Sequence, residues 1–541
     1  MKYKLLSLML IIPLVISACG VTPPKAAPVQ PIDGLPPGTD GFKWWNDTVF
    51  YEIFVRSFSD SNGDGIGDFN GITQKLDYLK QLGISGIWLM PINPSPSYHG
   101  YDVTDYKAVN PEYGTMDEFK TLLREAHKRG IRVIIDLVAN HTSSQHPWFI
   151  EAQNTESPYR NFYVWSRTNP GYKGPWGEQV WFSTPEGYYY ALFSQNMPDL
   201  NYENQEVTTQ MDSVAEFWLK EIGIDGFRLD AARHIVEDGK LQSNTPATHT
   251  WLGRFYTYYK GIAPEAIVVG ELNGESANVM NSYVGSDQLD LAFDFPLANS
   301  MLFSATTGMA RNALGQMRVS YKTLPELQDA TFLTNHDQDR LMNVLGNDPK
   351  KVKIAASMLL TSPGVPFLYY GEEVGLKGGG QDPDKRRPMQ WCADQFACFS
   401  TVAPWEDVGN DYQTYNVQTE QKDAQSIFSH YQALITLRNE HAALRVGDAY
   451  LPNSDAPGLF VDLRQSKQEK ILVVINLSKT AITNYSIDLS QSTLPVKMYR
   501  ALPLMGGASF ADITIDSNGK LAPYQPTAEI PPYTTLIMQL N

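Results

Sequence analysis

Three acidic residues, each standing just past a short apolar run, carry the chemistry most visible in this chain: Asp230 in Gly226-Phe-Arg-Leu-Asp230, Glu271 in Ile267-Val-Val-Gly-Glu271, and Asp337 in Phe332-Leu-Thr-Asn-His-Asp337. Short apolar runs of this kind read as strands buried on both faces. A charge at the end of such a strand is costly unless it is paired, solvated or used. Carboxyl groups from three strands meeting at one mouth have the equipment for acid/base and covalent chemistry on a glycosidic bond. Arg228 lies two residues before Asp230 and so on the same strand face, where charge pairing would hold Asp230 ionised. Glu271 must instead keep its proton near neutral pH, which needs a drier or more negative surrounding. Asp230 and Asp337 could supply that field. The plainer alternative is that Asp230 and Arg228 form only a structural ion pair.

Eight apolar runs are available to position these groups: residues 49–55, 86–90, 133–137, 226–229, 267–270, 289–293, 330–334 and 365–370. Helical patterns lie between them, among them 116–129 and 207–222, the latter with Gly223 as its stop. Alternation of this kind predicts an α/β fold, a (β/α)8 TIM barrel whose reactive groups gather at the C-terminal ends of the strands. The stretch 141–200 is too long for a simple connection and is rich in Trp, Tyr, Pro and Gly, which predicts an inserted subdomain after the third strand. A helical stretch at 427–440 is followed by alternating runs at 459–463, 470–475 and 534–538, which predict a C-terminal antiparallel β domain. The expected boundaries are 41–445 for the barrel, including the 141–200 insertion, and 446–541 for a β-sandwich. No repeat at solenoid spacing is visible.

The 541 residues, 43% hydrophobic and 12% aromatic, exceed one ordinary domain and can bury a substantial core. A formal net charge of −16 argues against nucleic-acid binding. At the N-terminus, Lys2 and Lys4 precede an apolar run at 5–16 that is short for a membrane span and reads as a signal peptide over 1–18. It ends Ile16-Ser17-Ala18-Cys19, which resembles the bacterial lipobox. Cys19 is then the expected lipidation site, residues 19–40 a Pro/Ala-rich tether, and the destination a membrane-anchored lipoprotein of the bacterial cell envelope, periplasmic or at the cell surface. After maturation Cys392 and Cys398 are the remaining pair, and an oxidising compartment favours a disulfide between them over two thiols.

Five blocks together resemble the α-amylase family of glycoside hydrolases (family 13): Asp136-Leu-Val-Ala-Asn140-His141, Met197-Pro-Asp199-Leu-Asn201, Gly226-Phe-Arg228-Leu-Asp230-Ala-Ala-Arg233-His234, Gly270-Glu271 and Asn335-His336-Asp337. They follow the family's order, each beside an expected strand. The resemblance implies that Asp230 is the nucleophile, Glu271 the general acid/base and Asp337 the transition-state stabiliser. It also implies that His141 and His336 hydrogen-bond the sugar at the cleavage point, that Tyr101 of His99-Gly100-Tyr101-Asp102 stacks on that sugar, and that Asp102 binds its hydroxyls. Arg228, Arg233 and His234 complete the substrate-binding set, with Arg233-His234 standing where α-amylases commonly carry Lys-His. Trp165, Trp176 and Trp181 of the insertion are candidates for packing against pyranose faces, with an aromatic core as the competing explanation.

The loop Asp60-Ser-Asn62-Gly-Asp64-Gly65-Ile66-Gly-Asp68 places oxygen ligands at alternate positions with a Gly at the sixth, like the first half of an EF-hand loop. Gly71 stands at the twelfth position, so the EF-hand itself is absent and Asp68 would have to complete the site. Family members with this loop bind Ca²⁺ through it, with the Ile66 carbonyl as one ligand. A second Ca²⁺ site is implied by Asn140, Asp199 and the carbonyl of His234, with one acidic ligand unplaced.

The Met197–Asn201 block resembles the intermediate group of α-amylases, several of them lipoproteins, and Ala231 after the nucleophile is typical of α-1,4 enzymes. The Asp60–Asp68 loop and Arg387-Pro388-Met389-Gln390-Trp391 resemble the oligosaccharide-cleaving branch. The expected protein is a monomeric, endo-acting α-amylase on starch and maltooligosaccharides, with some transglycosylation. An exo-acting α-glucosidase and a family isomerase such as trehalose synthase are the alternatives within the class. A surface glucan-binding lipoprotein without catalysis is the alternative outside it, disfavoured because such relatives lack one or more of the three acids.

Overall fold

In the computed structural model, which describes residues 35, 37–489 and 494–541, all eight expected runs supply a strand to one closed parallel barrel. Cys19 and the signal segment lie outside the described residues, as does most of the 19–40 tether. The barrel strands are β1 (Phe50–Ile53), β2 (Gly86–Leu89), β3 (Arg132–Leu137), β7 (Gly226–Leu229), β8 (Ile267–Gly270), β9 (Leu291–Phe293), β10 (Asp329–Thr331) and β11 (Val365–Tyr369), with β4 to β6 in the insertion. Around the barrel the order is β1-β11-β10-β9-β8-β7-β3-β2.

Side chains alternate across each strand, so one set fills the barrel and the other meets the helices. Phe50, Trp88, Ile134, Ile267, Val269, Leu291, Phe293, Val365 and Phe367 form the inner cluster, closed at the N-terminal end of the strands by Trp44 and Trp45. Two residues further along the same face, the apolar filling gives way to charge: Phe50 is followed by Glu52, Ile134 by Asp136 and Val269 by Glu271, while β7 contributes both Arg228 and Asp230. The strand period thus stacks an ionisable layer on an apolar plug. Gly226 opens β7 because an added Cβ would stand 2.1 Å from the Ile267 carbonyl oxygen, so only glycine lets β7 lie this close to β8.

Helix boundaries follow local chemistry. Asp68 caps Phe69–Leu82 by accepting from Gly71 N, and Thr115 with Glu118 forms a capping box on Met116–Lys128. The expected helix at 207–222 divides in two: Gln205–Glu216 is α-helical and Phe217–Ile222 widens into a π-helix, which ends at left-handed Gly223 as expected.

The insertion carries a three-stranded antiparallel sheet of order β4-β6-β5, from Trp165–Ser166 (β4), Trp181–Thr184 (β5) and Gly187–Tyr190 (β6). Beyond the barrel, a five-stranded sheet is built around the antiparallel strands Leu459–Gln465, Lys470–Asn476 and Thr535–Leu540. It shares a buried cluster with a smaller three-stranded sheet, through Val461, Val474, Ile487, Tyr524 and Met538 among others. Cys392 and Cys398 are joined, with Cα atoms 5.5 Å apart. Among the described residues no helix is long and apolar enough to cross a membrane.

Candidate active site

At the C-terminal end of the barrel, Arg228 is the hub of the ionisable layer. Its side chain is 1% exposed. Nη1 lies 2.9 Å from Asp136 Oδ1 and 2.6 Å from Asp230 Oδ1, and Nη2 lies 2.6 Å from Glu271 Oε2. Asp136 and Arg228 are register partners on β3 and β7, which fixes the first contact. One guanidinium therefore spans Asp230 and Glu271. The expected pairing of Arg228 with Asp230 is present, and the planar fork reaches Glu271 as well.

Burial sets the direction of the shifts. It raises Asp230 and Glu271 above their ordinary values, Arg228 works against it at both, and Asp337 adds to the rise at each. Burial likewise pushes Asp136 up to about 7 despite Arg228. Asp337 differs. Its side chain is 47% exposed, and Arg386 Nη2 lies 2.9 Å from Oδ1. The pull of burial is outweighed there by His336 and Arg386, which hold Asp337 well below the usual carboxylate range. Directly after Asp230, Ala231 adopts a left-handed conformation (φ 47°), an uncommon one for a residue with a Cβ, and its N–H donates to Glu271 Oε2 at 3.3 Å.

A cavity of about 580 Å³ lies over this layer, and Asp230, Glu271 and Asp337 all line it. Of the expected substrate-binding residues, His99, Tyr101, His141, Arg233 and His234 line it as well. Arg228, Asp102 and His336 are buried beneath its wall. Asp102 is tied to the hydroxyls of Ser95 and Ser97, with Ser95 Oγ 2.6 Å from its Oδ1. Burial lowers His141 and His234 to about 4, so both rings are neutral near pH 7. His234 Nδ1 faces the Gln242 carbonyl at 2.7 Å, and its Nε2 accepts from Arg233 Nε at 2.9 Å. Arg233 also pairs with Glu275 at 2.6 Å.

The three tryptophans of the insertion separate. Trp181 is buried against Tyr190. Trp165 is flanked by Phe149 and by the Arg160 guanidinium, 3.6 Å from its ring centre. Trp176 is 59% exposed, lines the cavity, and meets Phe193 and His234 at ring separations of 5.9 and 5.8 Å.

The two expected cation sites also differ. In the Asp60–Asp68 loop, Asp60 accepts from the backbone N–H groups of Asn62, Gly63 and Gly65, Asn62 from Asp64 and Asp64 from Ile66. Asp68 faces Ser61 and the N-terminus of the following helix. The donor types suit a hard cation, but the loop's carboxyl groups are engaged in its own turns. At the insertion–barrel junction, Asn140 Nδ2 donates to the His234 carbonyl at 2.7 Å, while Asp199 Oδ2 and Glu237 Oε1 are buried without a hydrogen-bond partner. Burial and mutual repulsion raise Glu237 well above its ordinary value, and burial pushes Asp199 up to about 7. Two orphaned acidic oxygens beside an amide and a carbonyl fit a divalent cation, and Glu237 supplies the acidic group that sequence reasoning left unplaced.

Sequence reasoning also missed Glu52 and Asp136 as members of the layer. Each is a lone charge inside an apolar strand run, and that was the available signal.

The sequence model of the α-amylase catalytic domain matches residues 52–447, most of the chain. The chain belongs to the α-amylase family of glycoside hydrolases, and it is an enzyme. It is 39% identical over 460 residues to alpha-amylase 3 of Dictyoglomus thermophilum, covering 83% of this chain and 89% of that one. It is 35% identical over 505 residues to a trehalose synthase/amylase of Mycolicibacterium smegmatis (81% and 84% of the two chains). With an oligo-1,6-glucosidase of Parageobacillus thermoglucosidasius the identity is 32% over 551 residues (84% and 97%). The crystal structure of an α-amylase from H. orenii superposes with a TM-score of 0.78 at 37% identity, over 91% of this chain and 99% of the other. The family's barrel, with its C-terminal antiparallel sheets, is the fold of this chain.

Proposed function

We propose that this family member is an endo-acting α-amylase that cleaves α-1,4-glucosidic bonds of starch and maltooligosaccharides with retention of configuration. The observation that carries the reading is the shared guanidinium: Arg228 holds Asp230 and Glu271 on its two nitrogens, 2.6 Å from each. A span of one guanidinium suits the about 5–5.5 Å between carboxyl groups in a retaining enzyme better than the about 6.5–9.5 Å that leaves room for a water in an inverting one.

In the proposed sequence, Asp230 attacks the anomeric carbon while Glu271 gives its proton to the departing glycosidic oxygen. The oxocarbenium-like charge is met by Asp337, kept ionised by Arg386 and His336. Water, or the hydroxyl of a second sugar, then gives up its proton to Glu271 and displaces Asp230, which releases an α-anomer or a transfer product. Tyr101, His141, Arg233, His234 and Trp176 line the cavity, and in this reading Arg233, His234 and Trp176 serve the departing sugar.

The second reading, an exo-acting α-glucosidase, is favoured by the end of the cavity near Asp337. Asp382 and Arg386 line it there, and Arg386 directly precedes the Arg387–Trp391 segment that resembles the oligosaccharide-cleaving branch.

Calcium binding is part of the proposal at both sites. Asn140, Asp199, Glu237 and the His234 carbonyl would hold one ion between insertion and barrel, and Asp60, Asn62, Asp64, Asp68 and the Ile66 carbonyl the other. The ions would supply fixed positive charge to the loops that frame the cleft. Lipidation at Cys19 and a cell-envelope location rest on the lipobox, and a monomer is the proposed state.

Time-resolved product analysis on amylose, pullulan, maltose and isomaltose, with NMR of fresh digests, tests the reading. Amylose should lose viscosity before glucose accumulates, and products should appear as α-anomers. Glucose released alone from chain ends would establish the exo reading, trehalose formed from maltose an isomerase, and initial β-anomers would remove Asp230 as nucleophile.

A further inference from the structure

Glu52 lies on β1 with its side chain in the barrel interior, buried and without a part in the bond-breaking steps above. Its Oε1 stands 2.6 Å from Nδ1 of His336, a ring that is itself fully buried. The other ring nitrogen, Nε2, lies 2.8 Å from the Tyr101 hydroxyl and 3.3 Å from Asp337 Oδ2. A neutral imidazole has one N–H and one lone pair, so it can meet only one of two carboxyl oxygens as a donor. With carboxyl oxygens at both nitrogens, only the doubly protonated ring donates to each.

The groups around the ring sort by sign. Glu52 faces it from β1, the Trp88 ring from β2 at 5.7 Å, and Tyr101 from the loop after β2 with its ring at 5.6 Å. Asp136 on β3, Asp230 after β7 and Glu271 after β8 each feel its charge. Asp337 adjoins it. Arg386 donates from Nε to the His336 carbonyl at 3.0 Å and, with Arg228, opposes a further cation. Acidic groups outnumber cations in this shell, which favours a charged ring.

We propose that Glu52 is a positioning residue of the glycosidase site, whose carboxyl group holds His336 as an imidazolium with its Nε2–H fixed toward Tyr101 and Asp337. Burial opposes charge on His336, but Asp337 and Glu52 outweigh it and push the ring up to about 10. Because this value is raised above that of a free imidazole, about 6.5, the ion pair contributes fully below that value and is lost only as pH rises toward about 10. Across neutral pH the ring is therefore a fixed cation beside Asp337. It orients that carboxylate from beneath the cavity wall, with its Nε2 toward Tyr101 and Asp337.

The inference rests on the reading of Asp337 as part of the reacting site, so its main test uses no substrate. NMR of the full chain labelled in histidine, with His336 assigned by its absence in His336→Asn, follows the ring from about pH 5 to pH 8, the window in which free imidazole titrates. In the wild type His336 should stay doubly protonated throughout. In the near-isosteric Glu52→Gln it should titrate inside the window. Activity of Glu52→Gln relative to wild type should fall progressively as pH rises through that titration, whereas a packing defect would give the same deficit at every pH. A ring that titrates in the wild type, or stays charged in Glu52→Gln, overturns the assignment. The wild-type profile does not depend on the Glu52 variant, so the test remains available if Glu52→Gln does not fold. A chain inactive on every α-glucan would defeat the reading of the site and leave the titration standing.

Discussion

Replacing Arg228 with methionine removes the guanidinium that touches Asp136, Asp230 and Glu271, whose side chains are 0%, 12% and 14% exposed. Removal of one partner from a buried ion pair typically costs about 3–5 kcal/mol, because a charge is left without compensation. At about 2 cal/mol/K of unfolding entropy per residue over residues 52–447, that corresponds to a fall of about 4–6 °C in Tm. The sign of the pH dependence is fixed by the same groups. Arg228 lowers all three carboxyl groups against burial, so its loss lets each rise further. Groups raised in the folded state bind more protons than in the unfolded chain, and stability then falls as pH rises. The Tm deficit of Arg228→Met should therefore be small near about pH 4 and grow toward neutrality, as read by thermal scanning in matched buffers. Activity should drop at least about a hundredfold through lost alignment. The remaining pH–activity bell should move to higher pH, since Asp230 must be ionised and Glu271 protonated and both have risen. Arg228→Lys should recover part of the stability and little of the activity, because an ammonium cannot span two carboxyl groups as the fork does. A deficit independent of pH, or a bell displaced toward acid, would refute the account of Arg228 as the electrostatic hub.

Chelation should lower Tm, because a cation that binds only the native state stabilises it by roughly 2.7 kcal/mol at a hundredfold excess over its dissociation constant. Glu237→Gln should remove the share of that sensitivity due to the junction site and Asp64→Ala the share due to the loop, and identical melts with and without chelator on metal-free protein would eliminate both sites. Trp176→Ala should raise KM for long maltooligosaccharides and lower the ratio of transfer to hydrolysis, with a smaller effect on an aryl maltoside that brings no sugar to the leaving side; equal effects on both would return Trp176 to a packing role. Cys19→Ser should abolish incorporation of labelled fatty acid and release the protein from the membrane fraction, and a wild type that takes up no label would end the lipobox reading.

The barrel was legible because buried parallel strands announce themselves as unbroken apolar runs, and all eight fell where the runs are. The three acids were legible because each follows such a run directly or within three residues. Glu52 and Asp136 were harder to see, since each sits inside a run whose remaining residues satisfy the pattern of a buried strand. Their meaning appears only when β1 and β3 are brought beside β7 and the end of β10. Glu237 was invisible for another reason: it lies in a loop, seven residues past Asp230, and nothing local marks it as the partner of Asp199, which lies 38 positions earlier in the chain. Trp176 could not be told from Trp165 and Trp181 by composition. The insertion uses aromatic residues both for its own core and for the cleft, and only exposure separates the two uses.

The ionisable layer also explains how one arginine can serve two carboxyl groups with opposite tasks. Among the described residues the layer holds Glu52, Asp136, Asp230, Glu271 and Asp337 against Arg228, Arg386 and His336. Even with the ring charged, acids exceed cations, so a proton retained in the layer relieves repulsion. Asp337 is excluded as its holder, since His336 and Arg386 keep it ionised. Glu52 accepts from Nδ1 of the charged His336 ring, and Asp136, although burial pushes it up to about 7, accepts from Arg228, Tyr101 and Trp88 at both of its oxygens. The proton is left to Asp230 and Glu271, which share the Arg228 fork. In the proposed reaction a sugar bound over the cavity would place its glycosidic oxygen, a proton acceptor, against Glu271 and its electrophilic carbon against Asp230. The substrate would thus draw the proton to Glu271 and leave the negative charge on Asp230, a division of labour that the Arg228 fork, shared by both groups, does not itself impose.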